Sequence, residues 1–256
     1  MAIHIKTPEE IAGLRIAGRL ASELLDYLTP FVKPGITTGE LDKLAYDYTV
    51  NVQKCIPACL GYQPEGMTPY PATTCISINH VVCHGIPSAG ELLCAGSIVN
   101  VDLSTELDGF FSDASRMFCI GAVPDEKRRL TEVAADCVQA GLAAARPWGF
   151  LGDIASAVQL CAERAGFSVV REIGGHGIGL AFHEEPWVGY TAPPHTGMVL
   201  APGLCFTIEP MINMGSPEIT VDARDGWTVR TRDGLPSAQW EIQVLITETG
   251  CEVLAH

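Results

Sequence analysis

The chain repeats one order of motifs, and this repetition constrains the fold more than any other feature. The segments Phe31–Leu41 and Ala144–Ile154 resemble each other, with Pro34 matching Pro147 at an offset of 113 residues. Each half then supplies a histidine motif, an acid on a strand and a second acid on a return strand. Repeated structural units place equivalent motifs in equivalent positions. The order therefore predicts two α+β halves, with a site between them.

Helix and strand signals fill both halves. Capping boxes at Thr7–Glu10 and Thr37–Glu40 predict helices that begin there and end near Pro30 and Val50. Asp108-Gly109 lies between two apolar runs and predicts a β-hairpin. We further predict helices over 125–145 and 152–165, a loop over 55–74, and strands over 75–83, 97–102, 109–120, 167–172, 203–209, 218–222 and 239–248.

The composition excludes some classes of partner. The chain has 256 residues, is 47% hydrophobic and 18% charged, and carries a formal net charge of −14. It contains no basic run, so we expect no nucleic acid as a partner. Its stretches without Asp, Glu, Lys or Arg are broken by proline, glycine and polar residues, so we expect no membrane span.

The cysteines indicate a reducing compartment. Ten are present without a CxxC pair, and several, such as Cys119 and Cys205, have apolar neighbours. That usage is typical of buried reduced thiols and not of a disulfide framework. The segment Met1–Lys6 lacks the charged-then-apolar pattern of a signal peptide. We therefore expect a cytoplasmic protein.

One segment, Gly174–Pro186, concentrates chemically active side chains. It holds His176, His183 and two glutamates within thirteen residues, and glycines flank the first histidine. Glycine lets the backbone approach other groups closely, which makes the segment a poor helix and a poor regular strand. A histidine held there is well placed to reach a metal or a substrate. The alternative is a glycine-rich turn with surface histidines.

Two pairs of acids lie in apolar strands. Asp102 and Asp113 are placed symmetrically about the Asp108-Gly109 turn, which puts them side by side or diagonally across two strands. Adjacent buried carboxylates repel each other unless a cation or a proton is shared. The alternative is that one of the two points to solvent.

Glu209 and Glu241 are likewise symmetric about Asp225-Gly226, although the intervening segment is long. The alternative here is that either glutamate pairs with an arginine. Four carboxylates and a histidine that meet in one place suit a two-metal cluster, which can bridge one water and polarise a carbonyl.

Five motifs carry a resemblance to a known family. They are Val82–Pro87, Gly175–Gly179, Phe182–Pro186, Thr207–Met211 and Asp225–Val229. In this order they resemble type I methionine aminopeptidases over nearly the whole chain. The resemblance implies the α+β pita-bread fold, in which two pseudo-twofold related halves form a curved antiparallel sheet covered by helices. It also implies one catalytic domain, 1–256, with halves at roughly 8–123 and 124–250.

The family's activity is removal of the initiator methionine from nascent proteins whose second residue is small. A water activated by two divalent metal ions (Co, Mn, Fe, Zn or Ni) attacks the scissile peptide carbonyl. Carried over by motif, the metal ligands are Asp102, Asp113, His176, Glu209 and Glu241. His84 and His183 would act in catalysis and contact the substrate, and Glu209 would shuttle the proton from the water.

The resemblance also assigns the methionine pocket. Its members would be Cys59, Tyr62, Tyr70, Cys75, Phe182 and Trp227. Without the resemblance, these six read as core or loop packing. Residues 63–69 form a longer loop than in short bacterial members, and Ile242 follows Glu241 where those members often have histidine. His4, His195 and His256 are interpreted as structural histidines, and His80 is ambiguous.

Three functions remain open at this point. The first is the metal-dependent methionyl aminopeptidase, expected to be a monomer that acts on the N-terminal methionine of nascent chains. The ribosome is a plausible partner for such an enzyme, although no motif indicates it. The second is a prolidase or aminopeptidase P, which usually carries a large extra N-terminal domain. The third is a non-catalytic binding protein on the same fold; such relatives lose metal ligands, whereas all five positions are filled here.

Overall fold

The structure is a computed structural model that describes residues 3–256. The first two positions of the segment searched for a signal pattern therefore lie outside the described residues. The helices are α1 (Pro8–Leu28), α2 (Thr38–Asp47), α3 (Asp125–Ala144) and α4 (Leu151–Arg164). These elements confirm the predicted helices, with ends shifted by at most three residues.

Capping explains why the first two helices begin where they do. The Thr7 hydroxyl accepts a hydrogen bond from the Glu10 amide, and the Glu10 carboxylate accepts one from the Thr7 amide at 2.7 Å. Thr37 and Glu40 form the same pair of bonds. Each box satisfies donors that the first helical turn leaves free. Beyond α2 the chain continues as a π-helical turn, Tyr48–Gln53.

The first half contains one antiparallel sheet of long strands. In chain order, the strands of this half are β1 (Ile56–Pro57), β2 (Thr74–Ile78), β3 (Val81–Cys83), β4 (Ile98–Leu107) and β5 (Phe110–Cys119). All except β3 belong to this sheet. The order is β1-β4-β2, with β5 also paired to β4. The hairpin at Asp108-Gly109 is confirmed, since both residues have positive φ, 52° and 84°. These values suit the type I′ turn that links two twisted strands.

Two sequence predictions in this half are corrected. Residues 75–83 do not form one strand, because the chain turns at Asn79-His80 and Asn79 has a φ of 52°. The resulting β3 pairs with a strand of the second half. Within the predicted loop 55–74, Ile56 and Pro57 pair with β4 as a short edge strand. A proline fits there because an edge strand needs fewer donors.

The second half is built from shorter strands. They are β6 (Ser168–Val169), β7 (Gly175–Gly177), β8 (Glu184–Val188), β9 (Cys205–Ile208), β10 (Met211–Asn213), β11 (Ile219–Val221), β12 (Val229–Thr231), β13 (Ser237–Gln239), β14 (Ile242–Ile246) and β15 (Cys251–Ala255). The main sheet has the order β15-β14-β9-β7-β8; β13-β10-β6 and β11-β12-β3 form smaller sheets. The glycine-rich segment, expected to be irregular, therefore contains two short strands.

The long segment between Glu209 and Glu241 is a paired ribbon, in which the predicted strand over 218–222 is found as β11. Three successive strand pairs, β9 with β14, β10 with β13 and β11 with β12, share one register. Their partners are Ile208 with Ile242, Ile212 with Ala238, and Thr220 with Arg230. Every pair is symmetric about Asp225, so the ribbon folds back at Asp225-Gly226, as the hairpin signal predicts.

Alternation along β4 and β5 separates a packed face from a face that bounds a cavity. Val101, Leu103 and Ala114 pack against α1, through Leu24 and Leu25 among others. The residues between them face the opposite way, because successive strand side chains point to opposite faces. Helices α3 and α4 cover the second-half sheet in the same manner. The predicted α+β class, with antiparallel sheets covered by helices, is confirmed.

Besides the pairing of β3 with β12, a backbone bridge close to the cavity joins the two halves. The amides of Ser115 and Glu241 each donate to the other's carbonyl oxygen at 3.4 Å. This bridge brings β5 of the first half beside β14 of the second. Both acid-bearing ribbons therefore approach the same point from opposite sides.

Candidate active site

Asp102 and Asp113 are diagonal neighbours on one face of the β4–β5 hairpin. Asp102 lies opposite Ser115, and Asp113 lies opposite Ser104, two residues further along. Both aspartates line the same cavity, and Asp113 is only 5% exposed. The spacing around the turn predicts this placement, and neither aspartate projects away to bulk solvent.

Glu209 and Glu241 continue the register of the β9–β14 ribbon. Their neighbours Ile208 and Ile242 are directly paired, so the two glutamates also lie opposite each other. Both are buried. Within residues 3–256 neither has an arginine partner, which rules out the ion-pair alternative for this pair.

The His176 ring is oriented by its own strand. Its Nδ1 lies 2.9 Å from the Gly177 carbonyl oxygen, which can only accept, so Nδ1 carries the proton. Nε2 then faces Asp113 and Glu209, at 3.6 Å from an oxygen of each. Asp113, His176 and Glu241 each place one ligand atom within 4.8 Å of the others. Asp102 and Glu209 line the same cavity beside them.

The glycines on either side of His176 permit this close approach. A β-carbon on residue 175 would lie 2.5 Å from the Tyr190 hydroxyl, and one on residue 177 would lie 2.2 Å from the Glu185 carbonyl oxygen. Any side chain there would push β7 away from β8 and β9. The glycine-rich motif is therefore a packing requirement of the strand that carries the histidine.

The buried acids are costly to ionise, because they are desolvated and repel one another, and a bound cation would offset that cost. Burial, and then the neighbouring charges of Asp113 and the other acids, raise the pKa of Asp102 and of Glu241 well above the usual carboxyl range. Burial also raises the pKa of Glu209 to about 7, against the opposing effect of His176. Burial disfavours protonated His176, but Asp113 and Glu209 outweigh it and raise the pKa of that imidazole.

Two further observations test whether this site fits a metal. The buried Oε1 of Glu241 has no hydrogen-bond partner, which is costly for a polar atom unless something coordinates it. Among the described residues that line the cavity there is no lysine or arginine. Carboxylate oxygens with one imidazole are a donor set that divalent transition metals accept. The residues therefore fit a divalent metal centre.

One cavity of about 410 Å³ brings together every residue predicted for the site. It contains the predicted ligands Asp102, Asp113, His176, Glu209 and Glu241, the histidines His84 and His183, and the pocket members Cys59, Tyr62, Tyr70, Cys75, Phe182 and Trp227. The other histidines lie elsewhere: His4 contacts Glu10, His195 contacts Asp153 and His80 contacts Arg230. Tyr70, which directly follows the 63–69 loop, lines the cavity with the other predicted pocket members.

Several orienting residues were not predicted. Ser104 donates to Asp113 at 2.8 Å, Thr207 donates to Glu209 Oε1 at 2.7 Å, and Gln239 donates to Glu209 Oε2 at 3.1 Å. Each lies two residues from a predicted ligand on the same strand or ribbon. Strand alternation puts residues two apart on one face, and this signal could have identified all three.

His84 and His183 are both neutral near pH 7. Burial, together with the positive charge of His176, lowers the pKa of His84 to about 4 despite the opposing charge of Asp113. The His183 residue is exposed, but its ring packs against Tyr62 at 4.9 Å and His176 at 4.0 Å between centroids. That desolvation, with the nearby His176 and His84, also lowers the pKa of His183. A neutral imidazole can donate to one group and accept from another.

The apolar end of the cavity is closed. Cys59, Tyr70, Cys75 and Trp227 are buried and pack as one cluster, with Tyr62 and Phe182 partly buried against it. The Tyr70 hydroxyl donates to backbone carbonyls, and the Trp227 indole N–H donates to the Thr68 carbonyl at 3.0 Å. Because these polar atoms are already satisfied, the surface they present is apolar and polarisable.

Comparison with known proteins places this site in a family. A model of metallopeptidase family M24 matches residues 12–248. The chain belongs to metallopeptidase family M24. It is 49% identical over 254 residues to a methionine aminopeptidase of Escherichia coli strain K12, covering 99% of this chain and 94% of that one. The crystal structure of methionine aminopeptidase from Rickettsia prowazekii superposes with a TM-score of 0.95 at 42% identity over the full length of both chains.

These similarities confirm the predicted resemblance and the pita-bread fold, and they support a metal-dependent peptidase. A prolidase from Pyrococcus furiosus matches with a TM-score of 0.78 at 23% identity, which shows a common fold only. The chain covers 65% of that prolidase's length. Within residues 3–256, no helix has the length and apolar character that crossing a membrane requires.

Proposed function

We propose that this chain removes the N-terminal methionine from polypeptides whose second residue is small, with water as the nucleophile. The observation that carries the proposal is the single cavity that joins the acid–histidine cluster to a closed apolar pocket. A methionine side chain suits that pocket, because a flexible thioether packs well against cysteines and aromatic rings. The similarity to methionine aminopeptidases points to the same substrate.

The cluster would hold two divalent cations. Asp102, Asp113, His176, Glu209 and Glu241 are the proposed ligands, and the cation is Co, Mn, Fe, Zn or Ni according to cellular supply. When bound, such ions supply a water of lowered pKa and a polarised carbonyl. The raised pKa values of the buried acids support this proposal, because a cation would hold those acids ionised.

Glu209 is the proposed proton carrier. Thr207 and Gln239 donate one hydrogen bond to each of its oxygens, so the carboxylate is held in one orientation. A cation bound beside Glu209 would keep this carboxylate ionised, and an ionised carboxylate held within reach of a water can accept a proton from it. From this position the carboxylate takes a proton from water and returns it to the leaving amine.

His84 and His183 are proposed to bind and orient the scissile peptide. Both line the cavity between the acids and the apolar pocket members. As neutral imidazoles they can donate N–H groups to the peptide carbonyl as negative charge develops on its oxygen. His183 would hydrogen-bond the scissile peptide, and His84 would orient the substrate near the leaving amine.

We further propose one catalytic domain over 1–256, with halves at roughly 8–123 and 124–250, that works as a monomer in the cytoplasm on nascent polypeptides. The bridge between Ser115 and Glu241 supports the single domain, because ligands come from both halves. All ten cysteines, which lie in the described part of the chain, are free thiols, as a reducing compartment favours. The N-terminus of a nascent chain is met first at the ribosome, which is the proposed place of contact.

Peptide hydrolysis with controlled metal content tests the proposal. Metal-stripped protein would be reloaded with Mn²⁺ or Co²⁺ and given Met-Ala-Ser and an Xaa-Pro peptide. We expect free methionine from the first peptide, only with metal, and no cleavage of the second. Cleavage at Xaa-Pro would instead indicate a proline-directed enzyme. No cleavage by any metal form would favour a binding protein.

A further inference from the structure

The open end of the cavity carries a large aromatic side chain that the proposed chemistry does not use. Trp187 lines the cavity and is nevertheless 57% exposed. Val221, also exposed, lines the same mouth. An indole that remains mostly in water is not there to fill a core. Its position at the entrance leaves the ring available to a ligand that enters or leaves the cavity.

Backbone register fixes which way the indole faces. Trp187 on β8 lies directly opposite His176 on β7, and directly opposed residues of an antiparallel pair share a face. The tryptophan therefore stands on the same side of the sheet as the metal ligand. The strand that carries Trp187, β8, is the immediate neighbour of β7, which carries His176.

Two glycines form the floor beneath the ring. A β-carbon on Gly189 would lie 2.5 Å from Cη2 of the indole, and one on Gly174 would lie 3.2 Å from Nε1. Gly189 follows Trp187 by two residues and Gly174 precedes His176 by two, so all four residues share one face. The indole ring therefore lies over Gly174 and Gly189 on this face and extends away from His176.

A substrate chain has to pass this ring. The methionine side chain enters the closed end, where Cys59, Tyr70 and Cys75 are buried. The rest of the polypeptide leaves by the open end, which is lined by Trp187 and Val221. The occupant of the exposed face is therefore the polypeptide downstream of the scissile bond, continuous with the site already described.

We propose that Trp187 forms a subsite for the third residue of the polypeptide substrate and favours an apolar or aromatic side chain there. This inference rests on the proposed function. The indole offers a flat apolar surface on which such a side chain packs. The exposed Glu172 also lines the mouth, and its charge disfavours an acidic third residue.

The test compares two peptides that differ only at the third residue. The ratio of kcat/KM for Met-Ala-Phe-Ser to kcat/KM for Met-Ala-Gly-Ser measures the preference, and general effects on catalysis cancel from it. We expect a ratio above one for the Mn²⁺-loaded wild-type enzyme. In Trp187→Ala the ratio falls by about three- to tenfold, the range that one aromatic contact supplies.

The chain offers a matched control. Trp148 is 66% exposed and does not line the cavity, so Trp148→Ala should leave the ratio unchanged. Gly189→Ala keeps the indole but displaces it, and should lower the ratio as well. Trp187→Phe, which keeps an aromatic surface, should retain most of the preference. These variants keep the test valid if Trp187→Ala does not fold.

Each outcome bears on one claim. An unchanged ratio in active Trp187→Ala overturns the subsite while leaving methionine removal intact. An equal fall in Trp148→Ala overturns it too, because the effect would then be nonspecific. Failure of the wild-type enzyme to release methionine from either peptide overturns the proposed function itself.

Discussion

Lys6 forms a buried ion pair with Glu184, which lies 178 residues further along the chain. The Lys6 side chain is 1% exposed. The second carboxylate oxygen of Glu184 accepts the amides of Leu180 and Ala181 at 2.7 and 3.0 Å. Glu184 thus closes the turn that carries His183. Lys6, in the segment before α1, holds that turn in place through its ion pair with Glu184.

Replacing Lys6 by methionine should therefore damage the site from a distance. The variant leaves the largely buried Glu184 without a counter-charge, and breaking one side of such a pair costs about 3 kcal/mol. We expect a lower free energy of unfolding in urea. We also expect a reduced kcat/KM for Met-Ala-Ser, because the turn that orients His183 loosens.

Arg15→Met is the matched control. Arg15 pairs with Glu252 at 2.7 Å, but the two side chains are 53% and 34% exposed to solvent, so the pair contributes less than about 1 kcal/mol. Equal losses in the two variants would contradict a special role for the Lys6 pair. Restored activity in Lys6→Arg would show that the charge, and not the lysine itself, positions the turn.

The sequence predicted how the four acids pair because symmetry about a turn can be recognised from residue numbers alone. Asp102 and Asp113 bracket Asp108-Gly109, and the observed pairing places them two residue pairs apart on one face. The same reasoning worked for Glu209 and Glu241. Between them the strand over 218–222 was predicted and is found as β11, whereas β10, β12 and β13 were missed. Each of these three strands has only three residues and lacks a clear alternating pattern, since nearly all of its residues are buried.

The Lys6–Glu184 pair could not be predicted. Nothing in an alternating Ile-His-Ile-Lys segment indicates that its lysine is buried, and lysine is rarely buried. The burial of Lys6 depends on a much later part of the chain: the carbonyl oxygen of Gly203, in the turn before β9, accepts a hydrogen bond from the Lys6 amide. The break at Asn79 was missed for a related reason, because a non-glycine residue with positive φ depends on tertiary contacts.

The raised pKa values of the acids predict how the metal-free protein responds to pH. In the folded state the pKa of Glu209 is about 7, above its ordinary value, so the folded protein holds this proton more tightly than the unfolded chain. The stabilisation is present at low pH and is lost as the pH rises through about 7. Asp102 and Glu241, whose pKa values are also raised, act in the same direction.

We expect the free energy of unfolding of the metal-free protein to fall as the pH rises from 7 to 8.5, because the buried acids lose protons that the folded state holds more tightly than the unfolded chain does. The lowered pKa values of His84 and His183 act with the opposite sign, but mainly below the ordinary histidine pKa of about 6.5. Saturating Mn²⁺ should reverse the slope, because metal binds the ionised acids. Urea titrations at several pH values, with chelator and with Mn²⁺, would measure both pH dependences. A free energy of unfolding that rises between pH 7 and 8.5 in the chelated protein would contradict the prediction.

Trp227 separates pocket function from packing. Its indole N–H donates to a backbone carbonyl at 3.0 Å, and its ring meets Tyr70 edge to face at 5.2 Å. Trp227→Leu should raise KM for Met-Ala-Ser by about tenfold or more, since the substrate loses much of an aromatic wall. Trp240 also donates its indole N–H at 3.0 Å but lies outside the cavity. Trp240→Leu should lower the melting temperature and leave KM unchanged. If Trp227→Leu instead lowers the melting temperature and leaves KM unchanged, Trp227 is a core residue.

Glu209→Gln tests the proton path most directly. The substitution keeps the volume of the side chain and removes its charge and its basicity. At saturating Mn²⁺, with metal content measured on the same sample, we expect kcat to fall by about 10²- to 10⁴-fold, the range for loss of a general base. Thr207→Val, which removes the hydroxyl that donates to Oε1, should cost only about tenfold, because the carboxylate remains. If Glu209→Gln keeps its full metal content and a near-normal kcat, Glu209 is not on the proton path. If the variant loses metal but keeps its fold, the main role of Glu209 is to bind metal.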